Sequence, residues 1–158
     1  MIAVDMEGAR RMLDGLAPAL EAELARALDG LLPGLETDLR RRTPVGTGRL
    51  AASIAVTPVS VSGGRLAGGV GYTAPHAEAV ELGTRPHRPP IADLIAWARA
   101  KGLEAPERAA HAVAATIAKR GTPARHPLRD TMRGLDRRLA AAAGAAVARA
   151  VAKVGEGA

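Results

Sequence analysis

The stretch TPVGTGRLAASI, residues 43–54, joins a leucine-rich segment to one rich in valine and isoleucine. Gly46 and Gly48 permit the positive φ angles of a tight turn, but closely spaced glycines can also expose backbone N–H groups to a phosphate. The flanking segments favour the turn, because they predict a long helix before it and a β-hairpin after it.

The segment before the turn predicts one long amphipathic helix. Its leucines recur every three or four residues, which places them on one helical face for about seven turns. They are Leu13, Leu16, Leu20, Leu24, Leu28, Leu31, Leu35 and Leu39. Pro18 and Pro33 interrupt this pattern, so we expect a helix start near Pro18 or a bend at Pro33. The arginines at 40–42 favour a helix C-terminus, Thr43-Pro44 ends the helix, and residues 2–4 could pair as an edge strand.

The segment after the turn predicts an antiparallel hairpin. Residues 53–61 alternate around Pro58 and residues 65–72 can return, with SGG at 62–64 as the turn. The apolar members of the first strand are Ile54, Val56, Val59 and Val61. Pro58 and Gly68-Gly69 indicate an edge strand or a bulge.

The remaining sequence predicts helices punctuated by proline and glycine, over residues 74–84, 91–102, 106–121 and 128–153. A stiff cationic connection, RPHRPP, occupies residues 85–90, and the last helix is expected to fray after Val151. The predicted fold class is α+β, with a long N-terminal helix, a small antiparallel sheet built on the hairpin and several further helices. We expect one domain over residues 1–158, divided into strand and long helix (1–42), turn and hairpin (43–72), short helices and loops (73–127), and C-terminal helix with a frayed tail (128–158).

Composition excludes several classes of protein. The sequence has no cysteine, which rules out thiol catalysis, cysteine-based zinc sites and disulfides. One Trp, one Tyr and no Phe argue against single-strand nucleic-acid modules that stack bases on aromatic rings. The N-terminus does not resemble a secretory signal, and no stretch approaches the roughly 18 apolar residues of a membrane span. We therefore expect a soluble intracellular protein without membrane association.

Charge is distributed unevenly along the chain. Residues 1–39 carry eight acidic and three basic side chains, so the net charge of +6 divides into −5 for this segment and +11 for the rest. Such a division suits an oligomer whose subunits meet through opposite-charge faces, or a ring that stands near nucleic acid. A compositional bias toward arginine, with solvated charges that have no specific role, explains it equally well.

The candidate catalytic groups have better structural explanations. Glu78 and Glu81 could share a helix face as an acid and base pair, but helix-surface glutamates near Arg85 and Arg88 are ordinarily ion-pairing groups. His76 and Glu78 form only the first half of a zinc-deaminase motif, whose second half requires cysteine. The histidines lack the HExxH spacing, and residues 46–50 lack the third glycine of a dinucleotide fingerprint and the lysine of a P-loop. The sequence therefore predicts no enzyme, no catalytic residue, no cofactor and no metal site.

Four segments in order resemble the phage neck and tail-completion proteins, the minor tail protein Z-like group of head–tail joining proteins. The first family motif is similar to TPVGTGRLAASI, with matches at Thr47, Gly48, Leu50 and Ser53. The second is similar to YTAPHAEAVELGTRP (72–86), with matches at Tyr72, Glu81, Gly83 and Thr84. Later family segments resemble IADLIAWARAKG (91–102) and GTPARHPLRDTM (121–132). The sequence departs from the pattern by two extra residues after Tyr72 and by lacking a Phe near Pro127.

This resemblance, over roughly residues 40–135, implies a structural virion protein of a long-tailed phage or phage-like particle. It implies a ring, commonly a hexamer, that completes the tail and joins it to the head connector, with no catalytic activity. The implied partners are copies of the same chain, the neighbouring connector, and tail-terminator or tail-tube proteins, with non-specific proximity to DNA. The implied location is the neck and tail of the virion, and the host cytoplasm during assembly.

The residues of the two motifs also predict local roles. Thr47 and Ser53 can satisfy turn N–H groups, and Arg49 can reach Glu81 or a neighbouring subunit. The cationic interface candidates are Arg40, Arg41, Arg42, Arg49, Arg85 and Arg88. The alternative function is a basic nucleic-acid-binding module without catalytic activity, in which arginines of this set contact phosphates.

Overall fold

The computed structural model describes the backbone of residues 6–156, and the side chains of residue 10 and residues 13–155. The strand expected at residues 2–4 lies outside this range. The helices are α1 (Met6–Asp29), α2 (Leu32–Arg42), α3 (Arg49–Ala52), α4 (Ala77–Leu82), α5 (Ile91–Ala100), α6 (Pro106–Arg120), α7 (Pro127–Thr131) and α8 (Leu135–Glu156). The strands are β1 (Ile54–Ser62) and β2 (Arg65–Tyr72). The predicted α+β class, with its long N-terminal helix and two-stranded antiparallel sheet, is confirmed.

The leucine-rich segment forms two helices. The expected helix start near Pro18 is wrong, because α1 is already helical from Met6 and continues through this proline. Packing against α8 stabilises α1 and offsets the hydrogen bond that Pro18 removes. The chain is interrupted at Gly30-Leu31, two residues before the expected bend, and Pro33 lies in the first turn of α2. A proline in that position loses no hydrogen bond, because the first N–H groups of a helix have no partner within it.

The described residues divide into two compact units, each assembled from separate stretches of chain. The first unit contains residues 6–34, 56–69 and 133–156, and the second contains residues 35–55 and 70–132. The expectation of one domain over the whole chain stays a prediction.

The first unit is built on the pairing of α1 with α8. Ala146 and Ala150 of α8 are fully buried, and their small side chains allow two helices to approach closely. Leu24 and Leu28 of α1 line an apolar cavity of about 180 Å³ together with Leu66 of β2 and residues of α8. The packing of this unit therefore relies on contacts between alanine and leucine side chains.

An ion pair links α1 to α8. The carboxylate of Glu23, 4% exposed, accepts hydrogen bonds from Arg149 Nε at 3.0 Å and from Arg26 Nη1 at 2.8 Å. The hydrogen bond from Arg149 is the main reason that the pKa of Glu23 is lowered, against the opposing effect of desolvation. A nearly buried carboxylate is thus kept ionised by two guanidinium groups.

The core of the second unit includes fully buried side chains from α2, α5 and α6. Leu39, Ala98 and Ala110 are each 0% exposed, and α5 packs on α6. Both helices match their predicted positions to within two residues, because proline and glycine mark their ends in the sequence. Val70 at the end of β2 is also buried in this unit.

The hairpin turns at Gly63 and Gly64, with φ angles of 55° and 73°. Two consecutive positive φ angles are those of the two-residue turn that matches the natural twist of a hairpin. Gly68 packs closely against the facing strand, because a Cβ there would lie 2.9 Å from Val59 Cγ2. The predicted hairpin and its turn are confirmed.

The C-terminal region differs from its prediction. The helix expected over residues 128–153 is divided into α7 and α8 at Gly134, which has a φ of 73°. The helix α8 also continues to Glu156, past the expected fraying point at Val151. In the part of the chain that the structure describes, no helix combines the length and apolarity that a membrane crossing needs.

Candidate functional site

The turn that follows α2 is made by Gly48, whose φ of 83° and ψ of −13° lie in the left-handed region. The short helix α3 follows directly, and the sequence did not indicate it. Leu50 of α3 is 7% exposed and anchors the turn in the second unit, whereas Thr47 is exposed. The Oγ of Ser53 donates to the carbonyl of Leu50 at 2.8 Å and closes α3, and the expectation that Ser53 also satisfies a turn N–H stays a prediction.

The ends of α2 and β2 are joined through two hydroxyl groups. Thr43, 4% exposed, donates to the carbonyl of Leu39 at 2.6 Å and shares a hydrogen bond with the phenol of Tyr72. Next to this pair, the N–H of Thr73 donates to the carbonyl of Ser53 at 2.9 Å. Desolvation raises the pKa of Tyr72, the charge of Glu81 raises it further, and the hydrogen bond with Thr43 lowers it. The hydrogen bond between Thr43 and Tyr72 therefore joins the first family motif to the second.

The end of α4 pairs with the end of α6. Thr84 and Thr122 form an isolated antiparallel bridge, in which the N–H of Thr84 donates to the carbonyl of Thr122 at 3.0 Å. Their side-chain hydroxyls are also hydrogen bonded, at 2.9 Å. Gly83 and Gly121 precede the two threonines with φ angles of 74° and 70°. Both glycines are needed for space as well, because a Cβ on either would collide with the opposite backbone.

The carboxylate of Glu81 binds the start of α7. Its Oε2 accepts a hydrogen bond from the N–H of Leu128 and its Oε1 one from the N–H of Arg129, both at 2.9 Å. These are first-turn N–H groups that a helix cannot satisfy internally. Beside them, Pro127 is fully buried and His126 has a positive φ of 51°.

We call this arrangement the motif junction. It consists of Glu81, Gly83, Thr84, Gly121, Thr122, Leu128 and Arg129. It brings together the second and the fourth of the segments on which the resemblance rests. Sequence reasoning grouped these segments by order alone, and it missed Gly121 and Thr122 as partners of Gly83 and Thr84.

The junction contradicts an acid and base pair. Both oxygens of Glu81 accept backbone N–H groups, and Glu78 is exposed on α4. A carboxylate held in this way has a structural role. Among the described residues, no group of three or more His, Asp or Glu side chains could hold a metal ion.

The candidate arginines have different surroundings. Arg40 donates to Glu36 at 2.8 Å and Arg41 to Asp38 at 2.7 Å, so both are paired within α2. The side chains of four others are exposed: Arg42, Arg49, Arg85 and Arg88. The carboxylate of Glu81 is bound by backbone N–H groups of α7, and not by Arg49 as the sequence had indicated. A contact of Arg49 with a neighbouring subunit stays a prediction.

The turn also touches the single tryptophan of the chain. A Cβ on Gly46 would lie 3.3 Å from Trp97 Cδ1, so the indole packs directly on the backbone of this glycine. Trp97 also borders a groove of about 540 Å³ lined by residues of α6, including Ala112 and Ile117.

Residues 9–83 match the family model HK97-gp10-like, described as "Bacteriophage HK97-gp10, putative tail-component". The predicted resemblance to a phage neck and tail family is confirmed by this match. The matched range spans α1, α2, the turn, the hairpin and α4, and ends one residue before Thr84. A family of structural tail components argues against an enzyme. No curated protein and no solved structure matches the chain.

Proposed function

We propose that this chain, whose residues 9–83 match a family of phage tail components, is a structural virion protein that forms a ring at the head–tail junction. In this role it completes the tail and joins it to the head connector, without catalysing a reaction. The family match carries the proposal, because it includes the first motif and the second motif as far as Gly83.

The geometry of the motifs supports a structural role for the chain. The polar groups of Thr43, Tyr72 and Glu81 form hydrogen bonds at the ends of helices and strands. Gly83 and Gly121 allow two chain segments to approach closely. These contacts fix the backbone where the motif segments meet.

Exposed apolar side chains supply surface that a neighbouring subunit can cover. Val45 in the first motif is 66% exposed, and Leu82 in the second is 64% exposed. In the other unit, Val147 and Val151 lie one helical turn apart on α8, 45% and 50% exposed. Burial of such side chains in a subunit interface would stabilise the assembly.

A particle-level experiment tests this function. A phage carrying an early stop codon in this gene should yield filled heads and tails that are not joined, as seen by electron microscopy. Supplying the chain in trans should restore joined particles. Normal joined particles made without the chain would refute the proposal.

The alternative, a basic nucleic-acid-binding module, is favoured by one observation: Arg42, Arg85 and Arg88 are exposed in a segment of high positive charge. Such binding must weaken steeply as salt rises, because phosphate contacts release counterions. Retention on duplex DNA that falls with salt, and falls further when Arg85 and Arg88 are replaced by Gln, would support the alternative. If the chain is not retained on duplex DNA at roughly 50 mM salt, the nucleic-acid-binding alternative is excluded.

A further inference from the structure

A groove on α6 combines an apolar lining with positive charge. It has a volume of about 510 Å³, and we call it the α6 groove. Its lining includes Ile91, Ala114 and Ala118 with Arg88, His111 and Lys119, and none of its lining residues is acidic. His111, Ala114, Ala118 and Lys119 recur at the spacing that places them on one side of α6. The groove therefore suits an occupant with small apolar side chains and negative charge.

The exposed side of α1 has these properties. Asp14, Pro18, Glu21, Ala22 and Asp29 are all exposed, and their spacing places them within one face of the helix, where Arg10 pairs with Asp14 at 4.0 Å and leaves Glu21 and Asp29 to give the face its net negative charge. We call these residues the α1 acidic face. From Asp14 to Asp29 this face extends about 22 Å, which is long enough to cover the roughly 12 Å of α6 between His111 and Lys119 that lines the groove. The two surfaces are thus opposite in charge, and both include small apolar side chains.

We infer that the α6 groove of one copy of the chain binds the α1 acidic face of a second copy. The contact joins two different surfaces, so that each subunit offers one to each neighbour, and such head-to-tail contacts close into a ring when the rotation permits. Small side chains on both helices allow close approach, and the flanking charges set the register. This inference rests on the ring-forming function proposed above and names the surfaces that form the ring.

Charge reversal on each surface tests the contact. A groove variant carries Arg88→Glu with Lys119→Glu, and a helix variant carries Asp14→Lys with Glu21→Lys. All four positions are exposed, and circular dichroism should show unchanged helical content. We expect each variant alone to lose assembly in size-exclusion chromatography with light scattering at about 100 mM salt, with association weakened on the order of a hundredfold.

Mixing the two variants gives the decisive result. The reversed groove of one can accept the reversed helix of the other, and their unchanged surfaces are equally complementary in the reciprocal contact. We therefore expect an equimolar mixture to assemble into rings that contain both variants in equal amounts. A matched control for the groove variant, Arg65→Glu with Lys101→Glu, makes the same change in net charge at exposed positions outside both surfaces and should assemble like the wild type.

Each other outcome overturns the inference in a recognisable way. If wild type and both variants assemble equally, the ring stands and these surfaces do not form it. If both variants lose assembly and their mixture does not recover it, the two surfaces are not partners. If the wild-type chain stays monomeric in solution and in particles, the ring of the proposed function fails as well. Should a reversal unfold the chain, Arg88→Gln with Lys119→Gln must still weaken association.

Discussion

Glu81 holds the start of a helix that lies 47 residues further along the chain, through a hydrogen bond of 2.9 Å from the N–H of Leu128 to its Oε2. The other oxygen accepts from Arg129 at the same distance. A side chain that appeared in the sequence as a candidate acid or base is thus a tie between α4 and α7. Its loss should affect folding.

Replacing Glu81 by Gln tests this tie. The amide keeps one acceptor oxygen and presents an NH₂ group to the second N–H, so we expect a loss of about 1–3 kcal/mol of unfolding free energy. Urea unfolding followed by circular dichroism measures the change. Glu78→Gln, at an exposed position on the same helix, should change stability by no more than about 0.5 kcal/mol. Equal effects of the two substitutions would contradict the structural role of Glu81.

Gly121→Ala should be among the most destabilising alanine substitutions in the second unit. Gly121 has a φ of 70° and its new Cβ would collide with the backbone of Thr84. The left-handed conformation costs about 1–2 kcal/mol and overpacking about 1–3 kcal/mol more. Gly102→Ala is the matched control, because Gly102 has a φ of 69° but open space around it. Thermal unfolding should show a clearly larger loss for Gly121→Ala than for the control.

Titration of the single tyrosine checks the surroundings of Tyr72. Desolvation raises its pKa in the folded protein above the ordinary value of 10.0. Its contribution to stability is therefore complete below pH 10.0 and is lost as pH rises through the higher pKa of the folded state. Ultraviolet absorbance of the phenolate should give a higher midpoint in the folded chain than in urea. A midpoint at or below the unfolded value would show that Tyr72 is not placed as described.

Acid should weaken the first unit through Glu23. The hydrogen bond from Arg149 lowers the pKa of this carboxyl below 4.5, so its contribution to stability is present above pH 4.5 and is lost as pH falls through the folded-state pKa. Unfolding measured from about pH 6 downward should show a stability decline over this range that is smaller in Glu23→Gln. An identical decline in both proteins would mean that other carboxyl groups are responsible.

Much of the fold could be predicted from local sequence signals. The hairpin at Gly63-Gly64 and the ends of α5 and α6 follow from residues that have few alternatives at those positions. The break in the C-terminal region could not be predicted in this way. Gly134 lies in the break between α7 and α8, whereas Gly144 lies inside α8, although both residues are glycine. Tertiary packing, which the sequence does not display, decides between them.

The motif junction shows the same limit at the candidate site. Glu81 and Gly83 were identified from the sequence, but their partners are backbone groups of distant segments. A backbone N–H or carbonyl belongs to nearly every residue, so residue type carries no information about which one a carboxylate will bind. The α6 groove was missed for a related reason, because alanines on a helix predict burial and the fold leaves these accessible.

The packing of Trp97 on Gly46 gives the protein a built-in optical reporter. The chain has one indole, so its emission spectrum comes from a single location, beside the turn that the first family motif makes. Docking of another virion protein near that turn would alter the polarity around the ring and shift the emission wavelength. Assembly could therefore be followed in real time on the unlabelled native chain.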